Sequence, residues 1–213
     1  MKICAFSDQH GKLGFDLPEA DLYLCAGDVC PDFGPGSPWG SSMQEKWLRE
    51  KWVPWMGNRL YAATLGNHDF ISRYEVPHQF GIDRADLIDG VKFWLSPWSN
   101  TFGRWAWMQD PKELAEVYAK IPDDVDIIVS HQPPYGYGDK VPPQYIRLND
   151  DPSGHVGSKE LLRTIDRVQP KFVICGHIHD GRGEYQHRET RILNVALVNE
   201  QYERVYEPVI FEV

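Results

Sequence analysis

The chain has 213 residues, 42% hydrophobic and 25% charged, a balance ordinary for a folded domain with a core of its own. Its 31 acidic against 22 basic side chains leave a formal charge of −9, which disfavours a broad basic track for nucleic-acid phosphates. No apolar run approaches the ~18 residues a membrane helix needs, and Met1–Phe6 turns polar at Ser7-Asp8 too soon for a secretion signal; the expectation is one domain over residues 1–213, in the cytoplasm.

In chain order, Lys2–Phe6 and Leu22–Ala26 are short apolar runs that predict strands. Pro31–Gly40 reads as a loop, and Ser42-Met43-Gln44-Glu45 has capping-box spacing ahead of Trp47, Leu48, Trp52 and Trp55, predicting a helix from Ser42. Leu60–Leu65 predicts a third strand. Asp110-Pro111-Lys112-Glu113 sets a capping carboxylate before a proline suited to the first turn of a second helix. Asp126–Val129 predicts a strand, and the Pro- and Gly-rich stretch Gln132–Gly157 is a loop long enough to be functional. Ser158 caps a third helix with Leu161, Leu162, Ile165 and Val168, ending before Pro170. Lys171–Cys175, Arg191–Val198 and Val205–Val213 predict the last strands. Strands interleaved with helices imply an α/β core, and the β-rich tail adds a second sheet. The four cysteines form no CxxC or zinc-ribbon pattern; Cys4, Cys25 and Cys175 read as buried hydrophobes, and Cys30 as a residue at a site rim.

The informative pattern lies just after five of those strands. Ser7-Asp8-Gln9-His10 follows the first, Gly27-Asp28 the second, Gly66-Asn67-His68-Asp69 the third, Ser130-His131 the fourth and Gly176-His177-Ile178-His179 the fifth. The carboxyl ends of strands line the ligand crevice of an open α/β sheet, so residues far apart in sequence meet there. A lone Asp-x-His or Gly-Asp is as readily structural; all five in this order are not. Imidazoles and carboxylates with one amide oxygen and no thiolate suit manganese, iron or zinc, and glycine before Asp28, Asn67 and His177 permits tight turns where the chain leaves the sheet.

Asp-x-His, Gly-Asp, Gly-Asn-His-Asp, His and Gly-His-x-His together resemble the signature of the calcineurin-like metallophosphoesterase superfamily, from Asp8 to His179. Size and the stretch Gly154-His155-Val156-Gly157 look most like the class III cyclic-nucleotide phosphodiesterases and the brain-type metallophosphoesterase-domain proteins. The resemblance implies a four-layer α/β/β/α sandwich with two divalent ions, Mn2+ or Fe2+/Zn2+, at one edge. It implies that Asp8, His10 and His179 hold the first ion, Asn67, His131 and His177 the second, and that Asp28 bridges both. It also implies that His68 acts as the acid beside the scissile group, with Asp69 orienting its ring. Asn67, His68 and His155 are the expected substrate contacts, and Tyr135 or Tyr137 reaches the cleft. The expected partner is a small-molecule phosphoester, with phosphodiesters favoured; a nuclease, a phosphomonoesterase and a non-catalytic metal-bound scaffold are the alternatives.

Overall fold

The computed structural model describes residues 1–146 and 151–213; the expected loop Gln132–Gly157 therefore includes four residues outside the described set. Parallel strands buried on both faces need apolar residues at successive positions, not alternate ones. The strands β1 (Lys2–Phe6), β2 (Leu22–Ala26) and β3 (Tyr61–Thr64) meet that need, since every residue but Lys2 is buried. They pair in parallel, β1 with β2 and β2 with β3.

The helical segment between β2 and β3 begins four residues before the expected Ser42. Ser37 caps α1 (Pro38–Trp47) by accepting from the Gly40 N–H, and Pro38 takes the first helical position. Capping is strongest where non-helical backbone meets the first turn, and Ser37 has that conformation. Ser42 instead lies inside the helix. Helical backbone continues through a π-helical turn, Leu48–Trp52, into α2 (Val53–Met56), the Val53 N–H reaching back to Leu48 O just before Pro54, which has no N–H to give.

The hairpin β4 (Arg84–Ile88) and β5 (Val91–Ser96), absent from the sequence-based expectation, forms one edge of a second sheet. A two-stranded patch, β6 (Ser99–Asn100) with β7 (Met108–Gln109), closes the loop that follows. Asp110 and Glu113 complete the predicted capping box on α3 (Pro111–Tyr118). β8 (Ile127–Ser130) comes next, and Ser158 caps α4 (Lys159–Val168) as expected, by accepting from Leu161 N–H. β9 (Phe172–Cys175), β10 (Gly183–His187) and β11 (Thr190–Asn194) complete the second sheet in the order β10-β11-β9-β8-β5-β4. The chain then returns to the first sheet, where β12 (Val209–Glu212) lies antiparallel to β1 and gives the order β12-β1-β2-β3.

Three apolar clusters make the layers. Ile3, Ala5, Leu22 and Leu24 of the first sheet meet Phe93, Leu95, Ile127, Val129 and Ile174 of the second. The outer face of the first sheet packs on Leu48, Trp52 and Met56. That of the second packs on Leu114, Tyr118, Leu161 and Ile165 of α3 and α4. The result is the four-layer α/β/β/α sandwich. All four cysteines are free and buried, Cys30 included. Among the described residues no helix is long and apolar enough to cross a membrane.

Candidate metal centre

The two sheets are laced together where the motif-bearing strands end. Ser7 donates its N–H to Val195 O (3.1 Å) and accepts at its carbonyl from Leu197 N–H (3.0 Å), so β1 and the end of β11 meet at this edge. Asp8 N–H donates to Gly27 O, His10 N–H to Asp28 O and Gly176 N–H to His131 O, each at 3.0 Å. These bonds join the first motif to the second and the fourth to the fifth, and His68 N–H, donating to Asp28 Oδ1, brings in the third. Asp8 (φ 55°), His10 (φ 45°), Asp28 (φ 50°) and His177 (φ 67°) all lie in the left-handed region. Each such residue costs roughly 1 kcal/mol or more and persists only where surrounding structure holds it. The turn throws the side chain back over the strand end, toward the others.

Two groups of donor atoms result. Asp8, His10 and His179 converge, as do Asp8, Asp28 and His131, the ligand atoms of each group lying within 4.8 Å of one another. His131 donates its Nδ1–H to Ala26 O (2.8 Å), leaving Nε2 3.0 Å from Asn67 Oδ1 and 3.4 Å from Asp28 Oδ2. His179 likewise directs Nδ1 at Asn199 O (3.0 Å), with Nε2 3.5 Å from Asp8 Oδ1. Such outer bonds fix the tautomer of a metal-ligating imidazole. Both His10 ring nitrogens and His177 Nδ1 are buried without a hydrogen-bond partner.

Electrostatics agree with a cation site. Burial alone depresses an imidazole, and it takes His10 to about 4 and His177 to about 3, so both are neutral donors of lone pairs. At His131 burial is outweighed by the buried carboxylates of Asp28 and Asp8, which push it up to about 9. Burial would raise Asp28, but the imidazoles of His131 and His68 hold it well below the usual carboxylate range. Nε2 of His131, Oδ1 of Asn67 and Oδ2 of Asp28 form a knot of acceptors that only a proton on His131 relieves. A divalent cation would relieve it for all three. The donor set of imidazoles, carboxylates and one amide oxygen, without a thiolate, fits such an ion.

His68 is held next to this knot, its N–H donating to Asp28 Oδ1 (2.8 Å). Its ring partner is Asp32, whose Oδ1 lies 3.3 Å from Nδ1, and not the expected Asp69. Asp69 points the other way: its carboxylate accepts from Val29 N–H (3.1 Å), Cys30 N–H (2.8 Å) and Gly66 N–H (2.9 Å). A carboxylate between three backbone donors is already committed, so Asp69 ties the second motif loop to the third. Burial still outweighs those bonds and, with Asp28 nearby, pushes Asp69 up to about 6. Asp32 belongs to no motif, and its place after Gly27-Asp28 was the one available hint.

A cavity of about 700 Å³ opens above the site. Asp28, Asn67, His68, His177 and His179 line its floor, and Phe102, Trp105, Tyr135, Tyr145 and Tyr202 its walls. Trp105 stacks on His68, ring centroids 4.3 Å apart. The ring of Tyr202 lies 4.7 Å from that of His10 and 5.3 Å from that of His179. Tyr202 carried no signal in the sequence beyond being aromatic. His155 lines the cavity, its Nδ1 2.7 Å from the buried Asp139. Of the two candidate tyrosines, Tyr135 lines the cavity, whereas Tyr137 bonds through its hydroxyl to His187. The tryptophans divide as well: Trp52 and Trp94 are core, and Trp39 is exposed.

The four-layer sandwich and a donor cluster that could hold divalent ions narrow the class, and the family gives it: a metal-dependent phosphoesterase. Residues 1–181 match the calcineurin-like phosphoesterase family, and the chain belongs to that family. It is 31% identical over 234 residues to a UPF0046 protein of Caenorhabditis elegans, covering 100% of this chain and 81% of that protein. Metallophosphoesterase domain-containing protein 1 of Homo sapiens is 33% identical over 132 residues, 61% of this chain and 38% of the human protein; that match spans well under half the human length. Among solved structures, a phosphopantetheinyl hydrolase of Mycobacterium tuberculosis superimposes with a TM-score of 0.57 over 94% of this chain and 90% of that one. Identity there is 12%, so the likeness is one of fold.

Proposed function

We propose that the chain is a dinuclear phosphodiesterase. The observation that carries this reading is the convergence of Asp8, His10, Asp28, His131 and His179 into two overlapping donor groups at one sheet edge. In it, Asp8, His10 and His179 would hold one ion, Asn67, His131 and His177 would hold the other, and Asp28 would serve both. Divalent ions held there would offset phosphoryl charge and supply a water of lowered pKa.

The protein's own groups then complete the site. Asp32 faces His68 Nδ1 and would keep the proton there, so Nε2 is the atom that serves the leaving oxygen. Protonated His68 donates from that atom as the ester bond breaks, a role worth roughly 10²–10⁴-fold for poor leaving groups. Burial opposes the protonated ring, but Asp28 and Asp32 raise its pKa above the ordinary value. Trp105 covers one side of the imidazole and limits water there.

The cavity supports a diester. A monoester brings an extra negative charge, yet among the described lining residues Lys159 is the only lysine or arginine, against Asp110, Asp151, Glu160 and Glu200. Five aromatic rings can take a second, organic arm, by stacking worth ~1–3 kcal/mol for a nucleobase. The test compares kcat/KM for bis-nitrophenyl phosphate and nitrophenyl phosphate with manganese. We expect the diester to lead by tenfold or more; a clear lead for the monoester contradicts the reading, and rapid cutting of single-stranded DNA would replace it with a nuclease.

A further inference from the structure

Gln44 sits on α1, outside every motif, yet its carboxamide is 2% exposed and fully used. Nε2 donates to His68 O (2.7 Å) and to Pro31 O (3.1 Å), and Oε1 accepts from Phe70 N–H (2.7 Å). An amide side chain offers two N–H donors and a carbonyl, and here each meets main chain. Those three backbone groups belong to two separate loops. One carries Asp28 and Asp32, and the other carries Asn67 and His68.

Neither loop is held by regular secondary structure where it meets the other. The carbonyls of Asn67, His68 and Asp69 accept from outside their own segment: Ala106 N–H (3.0 Å), Gln44 Nε2 and Trp107 Nε1 (2.8 Å). Of these three clamps, only Gln44 also grips the residue next to Asp32. With the Asp69 carboxylate, which also joins the two loops, it holds the Asp32 carboxylate and the His68 ring only 3.3 Å apart, where small shifts matter. Misplacing a catalytic group by about 1 Å costs up to roughly 10²-fold.

We propose that Gln44 is a positioning residue for His68. It touches no substrate and no metal ligand side chain; it holds the acid's backbone and the backbone beside the acid's carboxylate partner in one register. The inference rests on the acid role of His68 for its kinetic consequence, but its structural consequence is independent of turnover.

The test uses the full chain and two substitutions. Gln44→Glu keeps the acceptor toward Phe70 and leaves at most one donor for the two carbonyls, while Gln44→Met fills the space with none. Both are checked for cooperative unfolding and for metal content, which should match the parent. Across methyl aryl phosphodiesters, kcat should fall tenfold or more for the phenyl leaving group and less than about twofold for nitrophenyl. In a His68→Ala background the same substitutions should change kcat by less than twofold, because the group they position is gone. Histidine-selective 15N NMR of the metal-free protein should show shifted His68 ring resonances with His131 unmoved. Equal losses for both leaving groups, or a loss that persists without His68, would overturn the proposal. So would an unmoved His68 spectrum, whatever the activity. Should His68→Ala itself cost nothing for the phenyl ester, the acid role fails, and the NMR result alone decides whether Gln44 sets the ring.

Discussion

Gly66 and Gly176 stand where any side chain would strike a carboxylate: a Cβ on Gly66 would collide with Asp28 Oδ1, and one on Gly176 with Asp8 Oδ2. Gly27, at φ +100°, is the one of the three motif glycines that serves the turn expected of it. The others supply room for the ligands, a role invisible without knowing which side chain lies opposite. Gly176→Ala should therefore displace Asp8 and weaken metal binding by roughly tenfold or more while the sheets still form, as titration calorimetry would register. Asp28→Asn should weaken both ions together, since one carboxylate faces both groups; loss of a single ion would refute the bridging role. At this scale the motif residues were legible because each is tied to a fixed spacing. Asp32 and Gln44 were not, because their partners lie 36 and 24 residues away and neither spacing recurs as a pattern. Asp69 neighbours His68 in sequence, but backbone N–H groups of Val29, Cys30 and Gly66 claim its carboxylate, a commitment that adjacency does not reveal.

Elements with one-sided chemistry were the easiest to foresee. β1, β2, β8 and β9 are runs of buried apolar residues, and α3 and α4 announce themselves by Asp110 and Ser158. Replacing Ser158 with Ala removes the acceptor for the Leu161 N–H and should cost about 1 kcal/mol in denaturant midpoint experiments; a change under ~0.3 kcal/mol would mean water takes over the cap. β4 and β10 escaped notice because they are sheet edges. Arg84-Ala85-Asp86-Leu87-Ile88 and Gly183-Glu184-Tyr185-Gln186-His187 leave only alternate residues fully exposed (Ala85 and Leu87, Glu184 and Gln186), with the charges of Arg84, Asp86 and Glu184 set along the two strands. Edge strands are charged for a reason, since unpaired backbone invites pairing with other chains. Ser42 and Glu45 mimic a capping box, but Ser37 with Pro38 makes the stronger cap five residues earlier.

Across the whole molecule, the site joins the two sheets. Asp8, Asp28 and Asn67 follow strands of the first, and His131, His177 and His179 follow strands of the second. Ions held between them would bind the folded chain and not the unfolded one. At a free concentration 100 times Kd, each site adds about 2.7 kcal/mol, which for a domain of this size is about 5–10 °C in Tm. Chelation should lower Tm by at least that much, and manganese should restore it. The most direct measurement is metal stoichiometry on manganese-reconstituted protein, with anomalous scattering to place the ions. The account predicts two ions per chain, one beside His10 and His179 and the other beside His131 and His177. A single ion, or none, would contradict it.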